Sequence, residues 1–174
     1  MMQEYKYRAN YGTWHWSVIH IIGFVAVAAA FVHIYDGGYM VAWFISFLVA
    51  LIGLMILSIP RKIVLTSKSV EICCISDRTS ITYNDIVSVR AVQRREMRWF
   101  VPIFAAMGFL GFYGYFLNLR RLDLVKVYAS KWDDFVEITN IFDDKYYVSC
   151  DRRDELVAAV ASHITPNKED NVQQ

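Results

Sequence analysis

The stretch "WFVPIFAAMGFLGFYGYFLN", residues 99–118, is long and apolar enough to cross a bilayer, but its interior contains residues that break helices. These are one proline and three glycines: Pro102, Gly108, Gly111 and Gly114. Membrane helices tolerate such residues better than soluble helices do, so hydropathy alone does not say whether the stretch crosses. The answer determines which compartment contains the C-terminal third of the chain.

Basic residues flank this stretch on both sides. Four arginines precede it and two follow it: Arg90, Arg94, Arg95, Arg98, Arg120 and Arg121. Because positively charged flanks favour the cytoplasmic side, a single crossing would leave one cluster on the wrong side. The sequence therefore predicts that residues 99–118 pack within a domain or lie against the inner leaflet, rather than cross.

Charge is distributed unevenly along the C-terminal half. Residues 90–121 contain six arginines and one glutamate, a net charge of +5, whereas residues 122–170 contain six basic and eleven acidic residues, a net charge of −5. An anionic leaflet attracts a basic segment by about 1 kcal/mol per residue near its surface. We expect the arginines to face the membrane; the alternative is that they are solvated beside an apolar stretch.

The composition indicates a membrane part joined to a modest soluble domain. The 174 residues are 56% apolar and 20% charged, with a mean hydropathy of +0.28. A net charge of +1 gives no reason to expect nucleic-acid binding. The three cysteines lack the spacing of a zinc site or a disulfide framework, which favours packing roles in a reducing compartment.

Two longer apolar runs, residues 14–35 and 39–60, each approach the ~20 residues that a spanning helix needs. Asp36, Gly37 and Gly38 between them predict a tight turn, so residues 14–60 are expected to form a two-helix transmembrane hairpin. The turn has no basic residue, whereas both outer flanks do. The positive-inside rule then places both termini, including the segment 1–13, in the cytoplasm.

Short segments with the alternation of β-strands follow Pro60. They lie at residues 62–75, 79–92, 122–130, 134–141 and 145–150. Six or seven strands at hairpin spacing predict an antiparallel barrel or sandwich, and so an α+β membrane protein. Apolar residues from Leu156 to Ile164 predict one amphipathic helix that ends at Pro166, with 166–174 as a disordered tail.

Residues 61–165 resemble the bacterial pleckstrin-homology-like (bacterial PH) domains of small membrane proteins. The likeness rests on "KIVLTSKSVEI" with "TSITYNDIVSVRAV", on "GFLGFYGYF" (108–116), on "VKVYAS" (125–130) and on "YYVSCDRRDELVAAV" (146–160). The sequence departs from the family pattern at Cys150, where proline is common, and at residues 118–120, where a glycine is common. The resemblance implies a strongly bent seven-stranded antiparallel sheet, or barrel, capped by a C-terminal helix beside transmembrane helices, and no known activity.

No constellation of nucleophile, base and orienting group emerges from the sequence, and no cofactor or metal site is expected. We therefore predict a non-enzymatic, membrane-anchored adaptor at the bacterial inner membrane. Its expected partners are anionic lipid headgroups, a protein partner or a second copy. The candidate contact residues are Arg94, Arg95, Arg98, Phe100, Phe112, Tyr113, Arg120 and Arg121.

Two alternatives stay open at this point. The aromatic side chains among the candidates could instead fill one end of the barrel. The helical hairpin could also be the working part, in a subunit of a small membrane assembly. Ala26 and Ala30 form a small-residue pair that would let helices approach closely.

Overall fold

Two long apolar helices lie near the N-terminus. The computed structural model describes residues 3–6, 11–35, 38–108 and 110–170. Helix α1 runs over Tyr11–Tyr35 and α2 over Tyr39–Leu57. Both are long and apolar enough to cross a membrane, and only 6% of each apolar window is buried, unlike the core helix of a soluble protein. Part of the predicted turn between them, residues 36 and 37, lies outside the described residues.

The first sheet joins the chain before the helices to the chain after them. Strand β1 (Gln3–Lys6) pairs antiparallel with β2 (Pro60–Leu65), followed by β3 (Ser69–Cys74) and β4 (Arg78–Thr82), in the order β1-β2-β3-β4. We call this sheet A. Lys62 Nζ lies 2.7 Å from Glu4 Oε1 across the first pair. The two outer ends of the helix pair therefore meet in one sheet.

The second sheet, sheet B, contains six strands. They are β5 (Ile86–Val92), β6 (Phe100–Met107), β7 (Phe112–Asn118), β8 (Asp123–Ala129), β9 (Phe135–Asn140) and β10 (Lys145–Ser149). Their order is β5-β9-β10-β8-β7-β6, and β8 pairs with β10 in parallel. Short helical turns at Tyr83–Asp85 and Glu96–Trp99 precede β5 and β6.

The predicted antiparallel barrel is wrong. Among the described residues the ten strands form two separate sheets rather than a closed barrel, and one strand pair is parallel. The reason is the five-residue connection after β8, which carries the chain past the position of β10 before β9 begins. The five predicted strand regions all contain strands, and β1, β6 and β7 come in addition.

Residues 100–118 form a β-hairpin, so this apolar stretch is not a spanning helix. Strands β6 and β7 pair antiparallel, from Phe100 opposite Asn118 to Met107 opposite Phe112. Glycines at the turn and in β7 have the positive φ angles that other residues avoid, and aromatic residues favour strands. Pro102 is tolerated because β6 is an edge strand of sheet B.

Two apolar cores lie on opposite faces of sheet B. One is closed by sheet A and by helix α3 (Arg153–Asp170), which buries Leu156 and Val160 as its apolar spacing predicted. The other contains Phe116 and Phe135. Helix α3 continues past Pro166, so its predicted end was wrong; proline makes a helix boundary probable rather than certain.

Candidate functional site

The tip of the β6–β7 hairpin is attached to α1 through Ser17. Ser17 Oγ donates a hydrogen bond to the carbonyl oxygen of Gly108 (3.0 Å) and accepts one from the amide of Leu110 (2.7 Å). Ser17 is 1% exposed. Gly108 packs so closely on the helix that an added Cβ would lie 2.8 Å from Trp16 Cβ. The turn therefore docks on α1, six residues after the helix begins.

The middle of the hairpin is attached to α2. The Tyr113 hydroxyl donates a hydrogen bond to the carbonyl oxygen of Met55 at 2.6 Å. Met55 lies two residues before α2 ends. Burial raises the pKa of the Tyr113 phenol, which keeps it a donor at any physiological pH. Together with the Ser17 contact, this bond lays the hairpin across the ends of both helices.

One face of sheet B turns toward sheet A and α2, and we call it the front face. Because directly opposed residues of paired strands share a face, a row of side chains can be followed across the sheet. Phe104, Tyr115, Lys126 and Tyr146 form such a row on β6, β7, β8 and β10. Near β10 this face is covered by sheet A; near β6 it faces α2.

Strand β6 exposes apolar side chains along the free edge of sheet B. They are Val101, Ile103, Phe104 and Met107, with Trp99 just before the strand. Three exposed leucines follow β7, in the connection to β8 and at its start: Leu119, Leu122 and Leu124. An apolar surface of this kind beside polar residues is typical of a protein or membrane contact.

The five candidate arginines differ in their surroundings from four other arginines that form ion pairs. Arg94, Arg95, Arg98, Arg120 and Arg121 are all exposed, and none forms an ion pair among the described residues. In contrast, Arg78, Arg90, Arg152 and Arg153 are each paired with a carboxylate. Three of the five arginines line an open cleft of about 480 Å³ with Trp132. The base of the hairpin is thus a surface of uncompensated positive charge.

The three candidate aromatic residues are not part of that surface. Phe100 and Phe112 lie in the core behind sheet B, and Tyr113 is buried against α2. Their buried side chains agree with the alternative that these aromatics fill the domain interior. The structure therefore brings the five arginines to one end of the hairpin and leaves the three aromatics to hold the hairpin in place.

A partly buried ionic row crosses sheet B on β5, β9 and β10, and the sequence did not predict it. Arg90, Glu137 and Tyr147 stand opposite one another on β5, β9 and β10. Glu137 Oε2 accepts hydrogen bonds from Arg90 (2.6 Å) and from the Tyr147 hydroxyl (2.7 Å). Burial and the hydrogen bond to Glu137 raise the pKa of Tyr147. A charged residue in a strand that is otherwise apolar, as in "DFVEITNI", is the signal that could have indicated it.

Comparison with known protein families, with curated proteins and with solved structures finds no match to this chain. Within the part of the chain that the structure describes, no group of three His, Cys, Asp or Glu side chains is arranged to hold a metal ion.

Replacing Ser17 with valine should release the hairpin tip from α1. The change leaves two backbone groups of the turn without partners, at a cost of about 2 kcal/mol, so the Leu110 amide should exchange roughly 30-fold faster. Hydrogen exchange of the full chain in detergent measures this. Ser46→Val makes the same change on an exposed face of α2 and should leave exchange at Leu110 unaltered. Unchanged exchange in the Ser17 variant would show that the bond does not hold the turn.

Proposed function

We propose that this protein is a non-enzymatic binding module that is anchored by a helical hairpin and rests on the cytoplasmic leaflet. The observation that carries the proposal is the β6–β7 hairpin, which lies across both helix ends and combines exposed apolar side chains with unpaired arginines. In this arrangement strand β6 is the part of sheet B nearest the bilayer.

The depth of strand β6 is limited by its own backbone. An edge strand has unpaired N–H and C=O groups, which cannot be satisfied in hydrocarbon but can be satisfied by headgroups and interfacial water. The apolar side chains of β6 and the nearby tryptophan, Trp99, would enter the acyl boundary while the backbone stays at headgroup level. The hairpin would therefore lie in the interface and not cross it.

The arginines would bind anionic headgroups at the same level. Arg98 precedes β6 and is placed over the ring of Trp99, 5.6 Å from its centroid. Strand β6 extends about 13 Å from Phe100 to Phe104, which faces α2, so the arginines before β6 lie at least that far along the strand from the contact with α2. At about 1 kcal/mol for each basic residue, five arginines would hold the domain firmly on an anionic surface at low salt.

The pleckstrin-like character of the domain remains part of this proposal. Two sheets capped by a C-terminal helix support it, whereas the parallel β8–β10 pair departs from the implied fold. An inner-membrane location with both termini in the cytoplasm is also part of this proposal. The basic flanks of the helix pair and the pairing of β1 with β2 support it. A protein partner could bind the exposed edge of β6 where lipid leaves it free.

A spin label at position 103 tests the placement. Ile103 is 49% exposed on β6, and Ile141, in the turn before β10, is 55% exposed and serves as a matched control. In vesicles with anionic lipid, a label on full-length Ile103→Cys should be accessible to oxygen and shielded from a water-soluble nickel complex. The label on Ile141→Cys should show the reverse, because its turn lies about 14 Å or more from β6 across the sheet.

The arginines are tested in the same vesicles. Changing Arg94, Arg95, Arg98, Arg120 and Arg121 to glutamine should raise the nickel accessibility of the label at position 103. The effect should vanish in neutral vesicles, where the arginines have no anionic surface to bind. The parent chain without an added cysteine, reacted with the same label, gives the background from Cys73, Cys74 and Cys150. Equal accessibility at positions 103 and 141 would contradict membrane contact, and an unaffected label in the arginine variant would contradict the electrostatic part.

A further inference from the structure

A cleft of about 730 Å³ lies between α2 and the front face of sheet B. Leu51, Leu54 and Met55 from the last two turns of α2 form its apolar side. The turn between β3 and β4 closes another side, where Asp77 is exposed. Thr79 Oγ1 lies 3.2 Å from the Tyr128 hydroxyl, and this contact joins the two sheets at the back of the cleft. The volume is in the range of pockets that bind small molecules.

Lys126 places one positive charge in this cleft. Its ammonium group lies 5.5 Å from the ring centre of Tyr115 and 5.4 Å from that of Tyr146, so two aromatic faces hold it in position. Burial by itself lowers the pKa of Lys126. The neighbouring phenols of Tyr146, Tyr115 and Tyr128 raise it by more, so the net effect is a raised pKa. Lys126 therefore stays charged at physiological pH.

The remaining polar groups of the cleft add a single negative charge. Asp77 lines the side formed by the β3–β4 turn, and its Oδ1 accepts a hydrogen bond from the amide of Arg78. Cys74 lies beside it, and burial raises the pKa of its thiol to about 11, so the thiol is neutral. The cleft thus offers one cation, one anion and an apolar wall that continues the surface of a membrane-spanning candidate.

We propose that the cleft binds one phospholipid with a primary-amine headgroup. Its phosphate lies at Lys126, its ammonium group at Asp77, and one acyl chain along Leu51 and Leu54. This inference rests on the proposed function, since lipid must reach the cleft from the adjoining leaflet. The cleft and the arginines are expected to prefer different lipids. The arginines bind anionic surfaces, whereas the cleft complements a headgroup that carries both charges.

Native mass spectrometry of the full chain tests the proposal. The delipidated protein is offered phosphatidylethanolamine and phosphatidylglycerol at equal concentration. We expect one phosphatidylethanolamine to be retained at collision energies that remove other lipid. Lys126→Gln should weaken its retention at least tenfold, and Lys126→Arg should restore most of it. Asp77→Asn should abolish the preference over phosphatidylglycerol while lipid still binds.

Three controls make each outcome decisive. Lys68→Gln removes a lysine at an exposed turn away from the cleft and should not change retention. Soluble glycerophosphoethanolamine and inorganic phosphate should not displace the lipid, because they lack the acyl chain; displacement by either would overturn the chain-binding part. Equal retention of both lipids, or full retention by a folded Lys126→Gln variant, would overturn the site. The label at position 103 should be unaffected by Lys126→Gln, so failure here is distinct from failure of leaflet contact.

Discussion

Replacing Gly114 with alanine should separate strand β6 from β7 and cost about 4 kcal/mol of the domain's stability. Gly114 has a φ of +115°, which residues with a side chain rarely adopt. An added Cβ would lie 2.3 Å from the carbonyl oxygen of Phe104 and 2.7 Å from Cα of Ala105. Both are backbone atoms of the partner strand, so the clash is relieved only if β6 moves away.

Two measurements on the full chain in detergent check this expectation. Denaturant unfolding, followed by tryptophan fluorescence, should show a lower midpoint for Gly114→Ala, and hydrogen exchange should show loss of protection along β6. Gly53→Ala is the matched control, because, apart from the neighbouring residues and backbone of its own helix, no atom lies within 4 Å of the position its Cβ would take. It should change stability by less than about 0.5 kcal/mol. An unfolding midpoint for Gly114→Ala equal to that of the parent would show that the hairpin does not need this close approach.

Replacing Arg90 with methionine should cost about 3 kcal/mol, because it leaves the carboxylate of Glu137 buried with the Tyr147 hydroxyl as its remaining partner in this row. The side chain of Glu137 is 5% exposed, and Arg90 reaches it at 2.6 Å. Arg90 also contacts Glu96 at 3.0 Å, in the turn that precedes β6. The change should therefore loosen the turn that carries Arg98 as well as the sheet.

The double variant Arg90→Met with Glu137→Leu tests the physical reason. Glu137 is the buried member of this pair, and removing both charges leaves no unpaired carboxylate, so the double variant should recover most of the stability lost by the single one. Tyr147→Phe, which keeps the ion pair and removes one hydrogen bond, should cost about 1 to 2 kcal/mol. If the double variant is as unstable as Arg90→Met, the loss comes from packing of the arginine stem and not from the unpaired carboxylate.

Periodicity and charge predicted the elements of this protein better than their arrangement. The two apolar helices, the strand regions after Pro60 and the apolar face of α3 follow from patterns within single segments. The arginine clusters also argued against a crossing by residues 99–118, which form a hairpin. None of these patterns specifies which strand pairs with which, so the parallel β8–β10 pair and the open sheets were not foreseen.

The surroundings of the candidate residues could be predicted only in part. The five arginines are exposed and unpaired among the described residues, which could be expected from their position beside an apolar stretch. Phe100, Phe112 and Tyr113 could not be assigned correctly, because a strand alternates its faces and the sequence does not say which face is covered. Ser17 and Lys126 were missed because their partners are distant in sequence, as for Ser17 and Leu110.

Hydropathy and charge along the chain were enough to predict that a pair of bilayer-length apolar helices precedes a strand-rich domain, and that the third apolar stretch is not a spanning helix. These properties depend on local hydropathy and charge, which each segment carries alone. The position of the hairpin across both helix ends, the identity of the buried aromatics and the cleft that Lys126 shares with α2 became visible only in the folded chain. Those outcomes depend on contacts between residues far apart in the chain, and no local pattern encodes such contacts.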